Sequence, residues 1–207
     1  MINFISCPKR IINLKRRPQR LADLLKKFQQ LSFSNYEIFN AIDGDELFDI
    51  GISTPPQRAC KLSHLSIIEK AKQDRLPYVA ILEDDCEFVD QFNTKCTLFM
   101  MEVPHDWDMI YLGGQHKKKF HPITSRLASP SYLCSTHCYL VNHTAYDKII
   151  KMLEENDKAI DLIYVEHAQM KLNVYCAWPN LVLQAPGYSA IEKQNIDYRS
   201  FMNTILN

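Results

Sequence analysis

The sequence has little glycine and no excess of charge of either sign. Five of its 207 residues are glycine, and 24 basic residues balance 24 acidic residues, so the formal net charge is zero. A balanced chain produces no long-range positive field to attract nucleic acid or an anionic lipid surface. Nucleic acid is therefore not predicted as a partner, and any anionic ligand has to be bound by a local group of side chains.

Long apolar segments are also absent. No stretch reaches the roughly 20 apolar residues that cross a bilayer, and the opening MINFIS is too short for the apolar region of a secretory signal. The seven cysteines form an odd set without regular pairing, which is typical of free thiols in a reducing compartment. We therefore predict a soluble, cytoplasmic protein without a transmembrane segment, and we leave peripheral membrane contact open.

Repeats, low-complexity tracts and Gly/Ser linkers are missing as well, and 46% hydrophobic residues suffice for one sizeable core. Residues 1–207 are therefore predicted to form a single domain. Strand-like and helix-like segments alternate along it, which is typical of an α/β fold with a Rossmann-like, mixed and mainly parallel sheet and helices on both faces. The predicted strands are residues 10–14, 36–41, 78–82, 108–113, 132–141, 174–177 and 181–184; the predicted helices are 18–31, 57–74, 93–103, 144–155 and 160–171; and 115–130 is predicted to be an irregular loop.

The most informative segment is an apolar strand that runs into three carboxylates. Residues 78–82, YVAIL, have the length and β-branched content of a buried strand, and Glu83, Asp84 and Asp85 follow at once. In open α/β sheets, ligands bind at the carboxyl ends of the strands. Three adjacent anions repel one another, and a divalent cation carrying a diphosphate would relieve that repulsion. The local pattern leaves a second interpretation open, a solvated turn or the first turn of a helix, where carboxylates favour the helix dipole.

Cys134 and Cys138, with His121 and His137 nearby, are of the types that bind zinc. A second matched pair of ligands is missing, and Cys138 lies in an apolar, strand-like run. The sequence therefore does not predict a zinc centre in this segment.

Several segments, taken in order, resemble glycosyltransferase family 25, the group of lipooligosaccharide and collagen galactosyltransferases. Ala59 departs from that pattern at a position where the family often has glycine, and Thr136–His137 replace a small residue. The similar segments are INLKRRPQR (12–20), AIDG (41–44), CKLSH (60–64), ILEDD (81–85), DMIYLG (108–113), CYLVN (138–142) and ID (160–161), with Gln184, Ser189 and Ile191.

The resemblance implies a GT-A type fold, a UDP-sugar donor, a bound Mn²⁺ or Mg²⁺ ion, and inversion at the anomeric carbon. The activity that it implies is metal-dependent transfer of a hexose, with galactose favoured and glucose left open. The acceptor would be a hydroxyl of a glycan, a glycolipid or a hydroxylated side chain.

Two other functions are weighed against this one. A catalytically inactive carbohydrate-binding or scaffold domain of the same fold would have no need of Glu83, Asp85 and Asp161, all of which are present. A nucleotidyltransferase would normally have a glycine-rich basic loop after the first strand to hold a triphosphate, and the KRR of residues 15–17 has no glycine.

By the resemblance, the three acids correspond to the family's variant of the Asp-x-Asp element. Asp85 and Glu83 are the predicted metal ligands, with Glu83 also able to face the ribose or a metal-bound water, and Asp84 is assigned a structural or assisting role in the donor site. A hard divalent cation prefers oxygen ligands and neutralises the charge that builds on a leaving diphosphate.

The turn after the first strand supplies further donor-site candidates. Arg17 and Arg20 lie where a nucleotide binds, near the predicted positions of uracil, ribose and diphosphate, with a solvated helix start as the alternative. Asn13 is assigned to the donor site as the residue that holds the strand-to-helix turn.

Three more donor-site candidates come from later segments. Ser63 and His64 are predicted at or near the start of their helix, meeting the donor or the acceptor; a helix cap with a packed histidine is the alternative. Gln184 follows an apolar strand and is predicted to complete the metal shell or to bind the sugar, with an ordinary loop glutamine as the alternative.

Inverting transfer needs a base that takes the proton of the acceptor hydroxyl. Asp161 matches the family's late aspartate and is the predicted catalytic base, with Glu166 and Asp108 as reserve candidates. Its alternative is a helix N-cap, where aspartate is favoured on local grounds.

Overall fold

The computed structural model describes residues 2–120 and 122–202. Their framework is a seven-stranded sheet with three two-stranded ribbons beside it. The strands are β1 (Lys9–Asn13), β2 (Tyr36–Asn40), β3 (Tyr78–Glu83), β4 (Cys86–Phe88), β5 (Met109–Tyr111), β6 (Gln115–His116), β7 (Leu127–Ala128), β8 (Leu133–Cys134), β9 (Cys138–Asn142), β10 (Val174–Ala177), β11 (Val182–Gln184), β12 (Gly187–Ser189) and β13 (Gln194–Ile196). The α-helices are α1 (Pro18–Gln30), α2 (Pro55–Gln73), α3 (Phe92–Glu102), α4 (Tyr146–Glu154), α5 (Ile160–Ile163), α6 (Gln169–Lys171) and α7 (Arg199–Met202); a π-helical turn, Tyr164–Ala168, joins α5 to α6.

The main sheet is mixed but mainly parallel, as predicted. Its strand order is β2-β1-β3-β9-β5-β10-β7. β1 pairs in parallel with β2 and β3, and β5 pairs in parallel with β10, whereas β9 and β7 run antiparallel to their neighbours. β1 and β3 are therefore adjacent and end at the same edge, with Ile12 opposite Glu83.

Both faces of the sheet are covered by helices. Val79 and Ile81 of β3 pack with the inner faces of α2 and α4, while Ala80 and Leu82 pack with α1 and α3 on the other side. Alternate side chains of one strand point to opposite faces, so β3 divides its apolar residues between two cores. A strand buried on both faces reads as a continuous apolar run, which is why it was visible in the sequence.

The start of α2 differs from the prediction. Thr54 caps this helix in a capping box with Gln57, and Pro55 stands in the first turn, where a missing N–H costs nothing. Ser63 and His64 therefore lie in the third turn, and the prediction that they stand near the helix start is wrong. The free amide groups of a helix N-terminus are not available beside them.

The segment 115–130 is also more ordered in structure than an irregular loop. It contributes β6 and β7, and β7 pairs with β10 at the edge of the main sheet. Phe120 is buried and stacks on His116 with ring centroids 3.7 Å apart. Strands of two residues are too short to show a period in the sequence, so they were missed.

The seven cysteines are free thiols. Within residues 2–120 and 122–202, no helix is both long enough and apolar enough to cross a membrane.

Gly113, which follows β5, is predicted to be essential because β11 packs closely against its backbone. A Cβ atom at this position would lie 1.8 Å from the carbonyl oxygen of Val182, whose own N–H donates to the carbonyl of Leu112. Because backbone would have to move, Gly113→Ala should lower the free energy of unfolding by about 3 kcal/mol, measured by urea denaturation.

Gly187→Ala is the matched control. A Cβ there would approach only the guanidinium of Arg20, at 2.9 Å, and this flexible group can shift. Gly187→Ala should change the free energy of unfolding by no more than about 1 kcal/mol. Equal losses of stability in the two glycine variants would contradict the packing argument.

Candidate active site

The three acids lie at the carboxyl edge of the main sheet. Glu83 is the last residue of β3, and Asp84 and Asp85 form the turn into β4. They border a cleft of about 930 Å³, including its open mouth. Of the predicted site residues, those that line the cleft are Arg17, Arg20, Ser63, His64, Glu83, Asp84, Asp85 and Gln184; Asn13 and Asp161 do not.

Asp85 has one oxygen without a partner. Its Oδ2 accepts hydrogen bonds from Arg20 Nη1 at 3.3 Å and from Gln184 Nε2 at 3.1 Å. Its Oδ1 is buried and has no hydrogen-bond partner among the described residues. Burial, reinforced by the charges of Glu83 and Asp84, raises the pKa of Asp85 to about 7. A buried acceptor without a donor is costly, and an oxygen of this kind beside a cleft suits a cation.

Glu83 is partnered differently. Its Oε1 accepts a hydrogen bond from Thr136 Oγ1 at 2.9 Å and lies 3.4 Å from His64 Nε2. Burial raises the pKa of Glu83, but the interactions with His64 and Thr136 outweigh that effect and leave the pKa below its usual value. The environment therefore separates the pKa values of two neighbouring carboxyls, which is common where acids have distinct tasks.

Asp84 is occupied by protein groups. Its Oδ2 accepts a 2.6 Å hydrogen bond from Asn13 Nδ2, and its Oδ1 accepts one of 3.1 Å from Arg20 Nη1. Asn13 Nδ2 also donates to the carbonyl of Arg17. Asp84 and Asn13 therefore brace the turn between β1 and α1 against the end of β3.

Arg17 and Arg20 form one wall of the cleft. Both donate to the backbone carbonyl of Tyr188, at 3.2 and 3.3 Å, and the guanidinium of Arg17 lies 6.0 Å from the centroid of the Tyr188 ring. They thereby connect the first turn of the fold to the segment around β12.

Ser63 has both of its hydrogen bonds within the chain. Its hydroxyl donates to the carbonyl of Ala59 at 2.8 Å and accepts from the N–H of Ile42 at 2.9 Å. It therefore attaches the cleft-lining segment after β2 to helix α2.

His64 leads from the cleft into the core. Its Nδ1 lies 2.8 Å from the hydroxyl of Tyr139, which is 3.2 Å from the hydroxyl of Tyr164. His64 itself is fully buried. Cys60, one turn earlier on α2, also lines the cleft; the sequence showed it only as part of a family segment, although its spacing from His64 places both on one helix face.

Asp161 is the second residue of α5, and Ala159 is the N-cap. The carboxylate of Asp161 accepts a hydrogen bond of 2.9 Å from the N–H of Leu162. Burial raises the pKa of Asp161, and the charge of Glu83 contributes in the same direction. Its assignment as the base stays a prediction.

Among described residues, Cys134 and Cys138 belong to no cluster of three metal-binding side chains. His121 lies outside the described residues. Nothing in this part of the chain adds the ligands that a zinc centre there lacked.

The mixed, mainly parallel sheet with helices on both faces, and with carboxylates at the end of β3 beside an open cleft, is a GT-A type of fold. The chain matches the family model "Glycosyltransferase family 25 (LPS biosynthesis protein)" over residues 7–128. The chain belongs to glycosyltransferase family 25.

Relatives support this membership and differ in how they are named. A glycosyltransferase 25 family member of Aedes aegypti is 32% identical over 187 residues, covering 76% of this chain and 31% of that protein. The inactive glycosyltransferase 25 family member 3 of Mus musculus is 31% identical over 134 residues, covering 54% and 22%. Procollagen galactosyltransferase 1-A of Xenopus laevis is 24% identical over 190 residues, covering 76% and 31%. The chain thus spans between about a fifth and a third of the length of these relatives.

A solved structure shows the fold. A Drosophila β-1,4-galactosyltransferase 7 mutant, in complex with manganese, UDP-Gal and xylobiose, aligns with 95% of this chain and 78% of its own, with a TM-score of 0.50 and 9% identity. At that identity the likeness concerns the GT-A fold alone.

Asp85→Asn is predicted to stabilise the metal-free protein above neutral pH. Because the folded pKa is about 7 against an ordinary 3.8, the folded state holds a proton between these values that the unfolded state has lost. The stability of the native protein therefore falls as pH rises through this window. In the presence of a chelator at about pH 8, the free energy of unfolding of the variant should exceed that of the native protein by roughly 1–3 kcal/mol. Below about pH 4 this difference should vanish.

Urea denaturation at several pH values measures this difference. Asp23→Asn, which removes an exposed carboxyl of α1, is the control and should show no such gain. A native protein more stable than Asp85→Asn above neutral pH would contradict the assignment of a raised pKa.

Proposed function

We propose that this chain is a metal-dependent, inverting hexosyltransferase. It transfers a hexose, galactose in preference to glucose, from a UDP-sugar to a hydroxyl of a glycan, a glycolipid or a hydroxylated side chain. The observation that carries the proposal is the buried, unpartnered Oδ1 of Asp85 beside Glu83 in an open cleft. The Xenopus relative is a procollagen galactosyltransferase and the Drosophila structure is a complex with manganese and UDP-Gal, which supports galactose, UDP and manganese here.

The residues present suit a hard divalent cation. Asp85 Oδ1 and Glu83 would hold it, since oxygen ligands are those that Mn²⁺ and Mg²⁺ prefer. When bound, such an ion supplies charge that stabilises a leaving diphosphate. Arg20 and Gln184 hold Oδ2 of Asp85 and so orient its free oxygen.

The donor would be bound between the acids and the arginine wall. Arg17 and Arg20 border the cleft together with the apolar side chain of Ile12 and the segment from Ala41 to Gly44. Guanidinium groups form strong, charge-assisted hydrogen bonds with phosphate. This arrangement supports a diphosphate near the arginines and a nucleoside against the apolar side chains.

The base is proposed to be Asp161. A raised pKa makes a carboxylate a better proton acceptor, and burial has that effect here. Asp108, a reserve candidate, precedes β5 and accepts hydrogen bonds from Thr144 and from the N–H of Asn173. It lies at the amino edge of the sheet, opposite the edge where Glu83 ends β3, and this position does not support a role as the base.

The alternative is a catalytically inactive binding domain of the same fold. One observation favours it, the name of the mouse relative. The inactive alternative would be established if the native chain bound the donor but transferred no sugar to any acceptor class named above.

Asp85→Asn should abolish metal-dependent donor binding. UDP-Gal, UDP-Glc and UDP alone, each with and without Mn²⁺, are compared by thermal shift and by slow release of UDP. The native chain should be stabilised by UDP-Gal with Mn²⁺, and the variant should lose at least about tenfold in apparent affinity, because a neutral amide is a much weaker ligand for a hard cation than a carboxylate.

Asp23→Asn again serves as the control and should bind as the native chain does. A native chain stabilised by none of the UDP-sugars would count against the proposed function. Undiminished binding by Asp85→Asn would count against Asp85 as a ligand.

Asp161→Asn should retain donor binding and lose transfer by about 10²–10⁴-fold, the usual contribution of a general base. Glu166→Gln is the matched control, because this residue of the adjoining π-helical turn is exposed and pairs with Lys158. Transfer is measured with an acceptor that the native chain uses. Normal transfer by Asp161→Asn would refute the assignment of the base.

A further inference from the structure

Three metal-binding side chains of different types meet at the inner side of the cleft. Cys60 and His64 are one turn apart on α2, and Glu83 ends β3. One ligand atom of each lies within 4.8 Å of the others, and His64 Nε2 is 3.4 Å from Glu83 Oε1. Ligand atoms around a tetrahedral zinc ion lie about 3.3–3.8 Å apart, given bonds of about 2.0–2.3 Å. The nitrogen–oxygen distance already fits, and the sulfur needs a movement of about 1 Å at most.

The imidazole of His64 is oriented as a ligand. It is fully buried, and its Nδ1 is engaged by the hydroxyl of Tyr139. Its Nε2 makes no hydrogen bond of normal geometry among the described residues and faces Glu83 Oε1 at 3.4 Å, the other proposed ligand atom. Ligating histidines commonly use one ring nitrogen for the metal while a neighbouring protein group holds the other. Thr136 plays the corresponding part for Glu83.

The thiol of Cys60 is placed to complete such a site. It is the one cysteine of the seven that is not buried, and it lines the cleft together with His64 and Glu83, so an ion has a path of entry. Burial and, after it, the charges of Glu83, Asp161 and Asp85 raise the pKa of the Cys60 thiol. A bound cation would displace the thiol proton and offset the repulsion between the thiolate and these carboxylates.

We propose that Cys60, His64 and Glu83 form a binding site for a thiophilic divalent cation of the zinc class, with a fourth coordination position open to the cleft. Thiolate and imidazole select such ions over Mn²⁺ and Mg²⁺, which prefer oxygen. The site is therefore distinct in chemistry from the hard-cation site at Asp85, although the two share Glu83. A zinc-class ion bound here would make Glu83 unavailable as a ligand for the metal used in transfer. This consequence, unlike the site itself, rests on the proposed function.

The test is a titration of the metal-free chain with Co²⁺, a spectroscopically visible substitute for zinc. The native chain should bind one equivalent, with thiolate-to-cobalt charge-transfer absorption and tetrahedral d–d bands that Zn²⁺ removes. Cys60→Ser should lose the charge-transfer band, and His64→Gln should weaken Co²⁺ binding at least about tenfold. Asp85→Asn should keep the band, which separates this site from the one proposed for transfer.

Cys134→Ser is the control for a cysteine outside the cluster and should keep the band. A native chain without the band, or a band that persists in Cys60→Ser or disappears in Cys134→Ser or Asp85→Asn, would overturn the proposal. A second measurement needs no variant: Zn²⁺ should protect Cys60 from alkylation in the native chain, read by peptide mass spectrometry. Unchanged labelling of Cys60 in saturating Zn²⁺ would equally refute it.

Discussion

The site depends on the repulsion among three carboxylates that the fold does not allow to separate. β3 is paired on both sides and packed on both faces, so the chain cannot move Glu83, Asp84 and Asp85 apart at its end. Each acid is compensated in its own way. Asp84 pairs with Arg20 and accepts a hydrogen bond from Asn13, and Glu83 accepts one from Thr136 and faces His64, while Asp85 shares Arg20 and keeps one oxygen free.

The sequence predicted well those features that depend on neighbouring residues. β3 was visible from its apolar, β-branched run, and the start of α1 from Pro18. Features that join distant segments were not predictable in the same way. Gln184 reaches Asp85 across 99 positions, and nothing in the local sequence of either residue indicates that contact. His64 was assigned to the wrong part of its helix: even the predicted start at residue 57 lies seven residues before it, and the observed start at Pro55 lies nine residues before it.

Cys60 is a second example of a contact between distant segments that the sequence does not indicate. Its four-residue spacing from His64 predicts a shared helix face, yet the third member of the cluster comes from a strand. Only the packing of α2 against the end of β3 brings Glu83 to that face. Glu83 then stands between two kinds of ligand set, oxygen atoms on the side of Asp85 and sulfur and nitrogen on the side of Cys60 and His64. In both proposals, the kind of ion bound at Glu83 would therefore be decided by the neighbouring ligands rather than by the carboxylate itself.

The cleft has an acidic wall at Asp85 and a basic wall at Arg17 and Arg20, and neither charge is fully balanced within the protein. Burial and, after it, the charges of Glu83 and Asp84 raise the pKa of Asp85. On the arginine wall, burial and the nearby charge of Arg20 lower the pKa of Arg17. Arg17 donates to the neutral carbonyl of Tyr188, a weaker partner than an anion, whereas Arg20 divides its guanidinium between that carbonyl and the carboxylates of Asp84 and Asp85. A cation alone would relieve the first wall, and a phosphate alone would relieve the second. A metal-bound diphosphate would relieve both at once, which supports the sugar-nucleotide donor proposed above.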